Sequence, residues 1–374
     1  MVAERFISRK LKFQGNEAAT AIAVSFFVII VAVAVSSGFR HAIREGVAAM
    51  TGDICIAPFP SADNEPVSMP AAIPEAEAIL SLPGVKSITP VAMRAGIVKN
   101  GETVHGVLVK GLPAPGDAAL QVSIPHRLGE IMQLGEGDDL TAYFIGEKLR
   151  ARKFKIARVH RDLVELDDNL LVYASLGDIQ RLNGWDSTRV SSLELRLSEG
   201  ADPDRLALAV GTLAEDYYVT SSRQSYPQVF DWLRLLDFNV LVILVLMTVV
   251  AGFNMVSGLL IMLLRNISTI GTLKTLGMDN RSVGRLFVRI GAEAVLKGML
   301  VGNAAALLFC FIQDSTHLIP LDPANYFVSW VPVRIHLLWI LLADAAAFAG
   351  ILLLLWLPSR MVARIDPAQT VKAD

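Results

Sequence analysis

Phe238 to Leu264 is a run of 27 residues without one charged side chain. As a helix it would be about 40 Å long, more than the roughly 30 Å hydrocarbon core of a bilayer, so it can span a membrane with tilt or reach into the headgroups. Three further runs follow the same logic. Ala18 to Gly38 gives 21 uncharged residues; Ile290 to Ile312 carries Glu293 and Lys297 four apart near its start and is uncharged from Gly298 to Gln313; Ile335 to Leu357 is apolar apart from His336 at its rim and Asp344 inside, and is expected to stop at Pro358. The composition agrees with a membrane protein, being 53% hydrophobic and only 19% charged. A formal charge of -2 leaves no electrostatic footprint for nucleic acid.

Orientation is read from the basic residues of short flanks. Arg5, Arg9, Lys10 and Lys12 precede the first span; Arg265, Lys274, Arg281, Arg285 and Arg289 lie between the second and third; Arg360, Arg364 and Lys372 follow the fourth. The connection Gln313 to Pro332 has no Lys or Arg. Both termini of this multi-pass membrane protein are therefore expected in the cytoplasm. The first apolar run is too long for the 7 to 15 residues of a cleaved signal's core, so it is expected to persist as a span. Phe6, Ile7, Leu11 and Phe13, interleaved with basic residues, suit an interfacial helix leading into it.

The expected fold class is thus four transmembrane α-helices with a large α+β extracytoplasmic domain inserted between helices 1 and 2. The boundaries are an N-terminal segment at 1–17, spans at 18–38, 238–264, 290–312 and 335–357, an extracytoplasmic domain at 39–237, a cytoplasmic loop at 265–289, a short outer loop at 313–334 and a tail at 358–374. Within the domain, two β-α-β halves are expected at about 52–96 and 191–222. In the second, Asp202 caps a helix that starts at Pro203. Short alternating runs at Val104 to Val109, Leu140 to Ile145, Phe154 to Val159 and Leu170 to Tyr173 predict a β-rich insertion over 97–190. The paired Asp138-Asp139 and Asp167-Asp168 lack calcium-loop spacing and read as turns.

Chemistry-bearing motifs are missing. The chain has no Gly-x-x-x-x-Gly-Lys-Ser/Thr to hold ATP phosphates, no Gly-x-Ser-x-Gly elbow and no His-Glu-x-x-His, and its six histidines are scattered. Cys55 and Cys310 cannot by themselves build a four-ligand zinc site or a disulfide framework. No catalytic residue and no metal ligand is proposed. The patterned segment is instead the basic loop at 265–289. Ile267, Ile270, Leu273 and Leu276 recur every three residues and make an apolar stripe on a short helix that Gly277 can end with positive φ. Asp279 can cap the next helix, which would run from Asn280 to Ile312. Along it Gly284, Gly291 and Gly298 stand seven apart, and Gly302 completes Gly-x-x-x-Gly, a smooth face for close helix packing.

Together these residues resemble the permease subunits of MacB/LolC/LolE/FtsX-type ABC transporters, most nearly the lipoprotein-releasing LolC/LolE branch. The likeness spans nearly the whole chain. It is carried by Ala34-Val35-Ser36-Ser37-Gly38-Phe39-Arg40, Gly46 to Ile54, Gly135 to Tyr143, Ile270-Gly271-Thr272-Leu273-Lys274-Thr275-Leu276-Gly277, Pro332-Val333-Arg334-Ile335-His336, and Pro358-Ser359-Arg360 to Asp366-Pro367-Ala368. The resemblance implies a coupling helix at Thr269, Ile270, Gly271, Thr272, Leu273, Lys274, Thr275, Leu276 and Gly277, seated in a groove of a separate LolD-like ATPase dimer. ATP and Mg would then be bound by that partner and none by this chain. It also implies a second permease, as homodimer or LolC/LolE-type heterodimer, and a lipoprotein substrate drawn from the outer leaflet.

Two departures bear on this. Thr269 stands where the family commonly has an acid, which removes a charge-paired dock and leaves an apolar one. LolC-type members carry a Pro-bearing hook that recruits a soluble periplasmic lipoprotein carrier; here Gly146 to Lys153, between two expected strands, has no proline. The chain therefore looks more like the LolE partner or a self-pairing relative. MacB-like efflux and FtsX-like transmembrane signalling share the same layout, and a non-transporting membrane receptor or anchor stands outside the class. Candidate cavity-lining residues are Val24, Phe27, Val31 and Val35 on one face of the first span, with Val240, Met247 and Met255 on the second, apolar and adaptable enough for acyl chains. Asp344, flanked by Ala343, Ala345, Ala346 and Ala347, is expected to be buried against a neighbouring helix.

Overall fold

A computed structural model describes residues 16–60, 67–113, 120–144, 150–161, 170–275 and 277–362. The expected interfacial segment, the first four residues (146–149) of the Gly146 to Lys153 connection, Asp167-Asp168, Leu276 and most of the tail lie outside the described residues. The chain divides into a helical unit, formed by 1–41, 232–320 and 330–374, and an α+β unit, formed by 42–231 with 321–329.

The first element, α1, runs Asn16–Thr51, thirteen residues beyond the expected end of the first span. It continues because Arg40, His41, Arg44 and Glu45 are helix-compatible and find polar partners, and it ends only where Gly52 takes φ +72° and its N–H bonds the Ala48 carbonyl at 2.9 Å.

In the α+β unit, β1 (Ile54–Ala57), α2 (Ala76–Leu80) and β3 (Val85–Asn100) make the first β-α-β half, with the two-residue β2 (Met69–Pro70) between β1 and α2. The second half is β10 (Ser192–Leu197), α5 (Pro203–Leu213) and β11 (Tyr218–Ser221). The Asp202 side chain accepts the Asp204 N–H and Pro203 sits in the first turn of α5, the cap expected from sequence. The four strands form an antiparallel sheet in the order β11-β1-β10-β3, the split β-α-β arrangement. Strand alternation sends Leu193, Leu195 and Leu197 with Ile54 and Ile56 into a core beneath α2 and α5, packed on Ile79, Ala207 and Val210. The opposite face carries Glu194 and Arg196.

The insertion comprises β4 (Thr103–Leu112), β5 (Gln121–Pro125), α3 (His126–Met132), β6 (Asp139–Phe144), β7 (Arg150–His160), β8 (Leu170–Ser175), α4 (Leu176–Asn183) and β9 (Arg189–Val190). Its strands pair β3-β4-β8-β5-β7-β6, and β6 returns to β3 through Ile97↔Tyr143 and Val98↔Ala142. The ring closes into a six-stranded barrel filled by Val98, Val107, Val122, Leu140, Phe144, Phe154 and Ile156. The boundary expected at residue 97 shifts: β3 pairs with β10 through Val91 and with β4 from Ala92 onward, so one 16-residue strand serves both sheets.

In the helical unit, α6 (Pro227–Arg265), α7 (Ile267–Thr275), α8 (Asn280–Thr316) and α9 (Leu337–Val362) follow. Among the described residues, four helices, α1, α6, α8 and α9, are long and apolar enough to cross a membrane. Their shared core joins Ile22, Phe26 and Ile29 of α1, Met255 and Leu259 of α6, Phe287, Ile290 and Val295 of α8, and Ala347, Ile351 and Leu355 of α9. Only 17% of the apolar window of α6 is buried, and Leu241, Val245, Leu246, Val249, Phe253 and Leu260 stand exposed along it. A contiguous apolar surface of that extent suits lipid or a partner helix and not water. One local expectation is corrected. The last helix runs past Pro358 to Val362, although a proline there supplies no N–H to the Leu354 carbonyl and crowds it. Glu293 pairs with Arg289, whose Nε lies 3.4 Å from Glu293 Oε1.

Candidate functional site

The connection between α6 and α8 is built as its sequence suggests. α7 spans Ile267–Thr275, and Gly277 follows at φ +97° with its N–H on the Lys274 carbonyl at 3.0 Å. A side chain at Gly277 would be strained in this conformation. Asp279 then caps α8, its carboxylate accepting the Ser282 N–H at 2.9 Å. The Ser282 hydroxyl and N–H, with Arg285 and Arg281 nearby, hold the Asp279 carboxyl below its ordinary range. Thr269 and Thr272 are exposed and Lys274 is half-buried. The result is a short helix carrying one basic residue, Lys274, between two membrane-length helices.

The glycines of α8 divide their work. A Cβ on Gly298 would meet Ile22 Cγ2 at 2.6 Å, and one on Gly302 would overlap the Ala23 carbonyl and stand 3.0 Å from Phe26 Cβ. This Gly-x-x-x-Gly pair therefore seats α1 against α8. Gly291 faces elsewhere, where its Cβ would lie 2.9 Å from Leu355 and 3.3 Å from Leu259. Gly284 is half-buried about two turns nearer the cap.

The candidate lining residues separate on inspection. Val24 is 60% exposed. Val35 and Val240 are half-buried; Phe27, Val31 and Met247 are half-buried against the helix core, Phe27 edge-on to Phe309 with ring centroids 5.8 Å apart. Met255 is fully buried between helices, so it packs the core and leaves the lining set, a correction that follows from its position above Gly291. The apolar residues that α6 does present, such as Leu246 and Phe253, were not singled out from sequence, because every face of that run is apolar and periodicity cannot rank them.

Asp344 is buried as expected. Asn303 Nδ2 of α8 donates to Asp344 Oδ2 at 2.6 Å, joining α8 to α9, while Asp344 Oδ1 and Asn303 Oδ1 have no hydrogen-bond partner among the described residues. Asn303 lies one residue after Gly302 and carried no sequence signal of its own.

A polar knot also escaped the sequence. Asp237 Oδ1 of α6 accepts from Ser36 Oγ at 2.8 Å and Arg40 Nη2 at 2.6 Å of α1. Arg334 donates its backbone N–H to the Ala34 carbonyl at 3.1 Å and Nη1 to His41 Nδ1 at 2.6 Å, and Gly38 leaves room for the Pro332 carbonyl. The residues of the Ala34 to Arg40 and Pro332 to His336 motifs thus meet each other. The exposed ion pair itself contributes at most about 1 kcal/mol; the close backbone approach at Gly38 fixes the geometry.

Within the α+β unit, Lys110 and Glu194 form a buried ion pair at 2.7 Å. Burial pushes the Lys110 ammonium down and the Glu194 carboxyl up, and each partner pulls the other back toward its charged form. Removing one partner alone from such a pair costs about 3–5 kcal/mol. Neither residue was a sequence candidate: a lysine between Val109 and Gly111 in an alternating strand gives no local sign of burial.

Residues 241–367, from α6 to the tail, match the family described as FtsX-like permease C-terminal. The chain is 22% identical over 392 residues to the lipoprotein-releasing system transmembrane protein LolE of Haemophilus influenzae, covering 95% of this chain and 93% of that one. It is 22% identical over 387 residues to the corresponding LolC of Xylella fastidiosa, covering 94% and 92%. Among solved structures, the periplasmic region of MacB from Actinobacillus actinomycetemcomitans aligns with 50% of this chain and 95% of its own length at 14% identity, with a TM-score of 0.32, too low to equate the folds.

Proposed function

We propose that this chain, an FtsX-like permease similar along nearly its whole length to LolC and LolE, is the membrane subunit of an ATP-driven ABC transporter that draws lipoproteins from the outer leaflet of the inner membrane. The similarity to two lipoprotein-releasing transmembrane proteins over more than nine-tenths of the chain carries the reading. The absence of a P-loop in the sequence supports a separate ATPase dimer that binds ATP and Mg. In this reading α7 is the coupling helix in the cytoplasm. Thr269 gives it no acid with which to pair, so docking rests on the apolar stripe. The α+β unit lies in the periplasm, both termini in the cytoplasm, and a second permease covers part of the exposed apolar face of α6. Acyl chains lie along Val24, Phe27 and Val31 of α1 and Met247 of α6, and the exposed Leu246 and Phe253 add apolar surface on α6.

A photo-crosslinking residue at Val24 or Met247 tests this in intact cells. The expected product is triacylated lipoprotein joined to the permease. Products with phospholipid alone, in cells that sort lipoproteins correctly without the protein, would replace this reading with efflux or signalling.

A further inference from the structure

We propose that Lys110 is the joint that binds the last turn of α1, the open sheet and the closed barrel into one moving body, a role that rests on the permease reading only for its use in transport. An ammonium has three protons, and the structure gives Lys110 Nζ three acceptors from two elements: the Ala49 carbonyl at 2.8 Å and the Met50 carbonyl at 2.9 Å from the end of α1, and Glu194 Oε2 at 2.7 Å from β10. Lys110 itself belongs to β4 of the barrel, where it pairs with Met93 just beyond the point at which β3 passes from one sheet to the other.

Nothing about the solubility or packing of a strand calls for a lysine that is 1% exposed. The location does explain it. The last four carbonyls of a helix lack intrahelical partners and carry the negative end of its dipole, so a cation there satisfies them and is favoured by them. A second tie runs beside the first: Asp53 accepts from Arg44 Nε at 3.4 Å and from the Leu197 N–H at 2.9 Å, and Arg196 reaches back to Glu45 at 2.9 Å. Those contacts hold α1 to the open sheet alone. Lys110 adds the barrel. A displacement of α1 along its axis then reaches the barrel directly, without relying on the bend of β3.

The test uses the full chain in lipid nanodiscs with a neutral pair, Lys110→Met with Glu194→Leu, which leaves no buried charge behind. Spin labels at the exposed Leu208 of α5 and Val104 of the barrel read the distance between the open sheet and the barrel, with Cys55→Ala and Cys310→Ala removing native thiols. The distance distribution is expected to broaden in the neutral pair, and ATP hydrolysis by the assembled complex is expected to lose its response to lipoprotein while its basal rate persists. An unchanged distribution would overturn the joint whether or not the chain is a permease. A wild-type complex that never answers lipoprotein would overturn the permease reading and leave a broadened distribution standing as support for the joint. If the neutral pair does not accumulate, hydrogen exchange on the wild-type chain decides: the joint requires the amides of Ala49 to Gly52, β4 and β10 to open together, and independent openings would refute it.

Discussion

Replacing Gly302 with alanine adds one methyl group where α8 meets α1. The new Cβ overlaps the Ala23 carbonyl and stands 3.0 Å from Phe26 Cβ and 3.1 Å from the Phe27 nitrogen. These are backbone or backbone-attached atoms and cannot swing aside as the tip of a long side chain would, so the helices must separate. Overpacking of this kind costs about 1–3 kcal/mol. Alanine recovers about 1 kcal/mol through its better helix propensity, which leaves a net loss of roughly 0–2 kcal/mol. Valine in place of Gly302 adds two more methyls with no such recovery and should pass the upper end. At Gly298 a Cβ would meet Ile22 Cγ2 at 2.6 Å and Ile22 Cβ at 2.9 Å, and the second is fixed to the backbone, so alanine there should also force α1 and α8 apart. Gly211 in α5 is the control: its nearest neighbour to a Cβ, Val219, is at 4.0 Å, and alanine should be neutral or stabilising. Thermal unfolding of the detergent-solubilised protein reads the series, with a drop of a few degrees per kcal/mol. A Gly302→Val protein with an unchanged midpoint would refute the close α1–α8 contact.

Three further outcomes are expected. Burial next to Glu194 pushes the Cys55 thiol up to about 11, so in native protein it should react slowly with an impermeant maleimide and faster at each step of rising pH, whereas Leu208→Cys should label readily from the periplasm and Met278→Cys should not; the reverse pattern would break the orientation. Leu273→Asp with Leu276→Asp should place charges in the apolar dock and abolish ATPase association or stimulation, and normal stimulation would mark α7 as a mere connector. Asp344→Asn should preserve assembly and transport because an amide can still pair with Asn303; lost transport with intact assembly would instead assign Asp344 a proton-linked role.

What the sequence disclosed depended on whether the signal was local. The uncharged runs, the Asp279 and Asp202 caps, the positive φ of Gly277 and the Gly298-Gly302 packing face all arise from neighbours within a turn or two, and each is found in place. Long-range closure was hidden. The barrel is sealed by two residue pairs between β3 and β6, about 45 positions apart, and no alternation pattern distinguishes a closed ring from an open sheet. The same reasoning covers Lys110, whose partners lie 60 and 84 positions away, and the meeting of Ser36 and Arg40 with Asp237 across the whole α+β insertion. Met255 misled because an all-apolar helix offers no polar face to mark which side is buried.

ATP-dependent release of a triacylated lipoprotein from proteoliposomes holding the chain and its co-purifying ATPase tests the account most directly. The account predicts that lipoprotein leaves the membrane only with hydrolysable ATP and only when Leu273 and Leu276 are intact. Release that needs neither ATP nor this chain, or an ATPase that never associates with it, would contradict it.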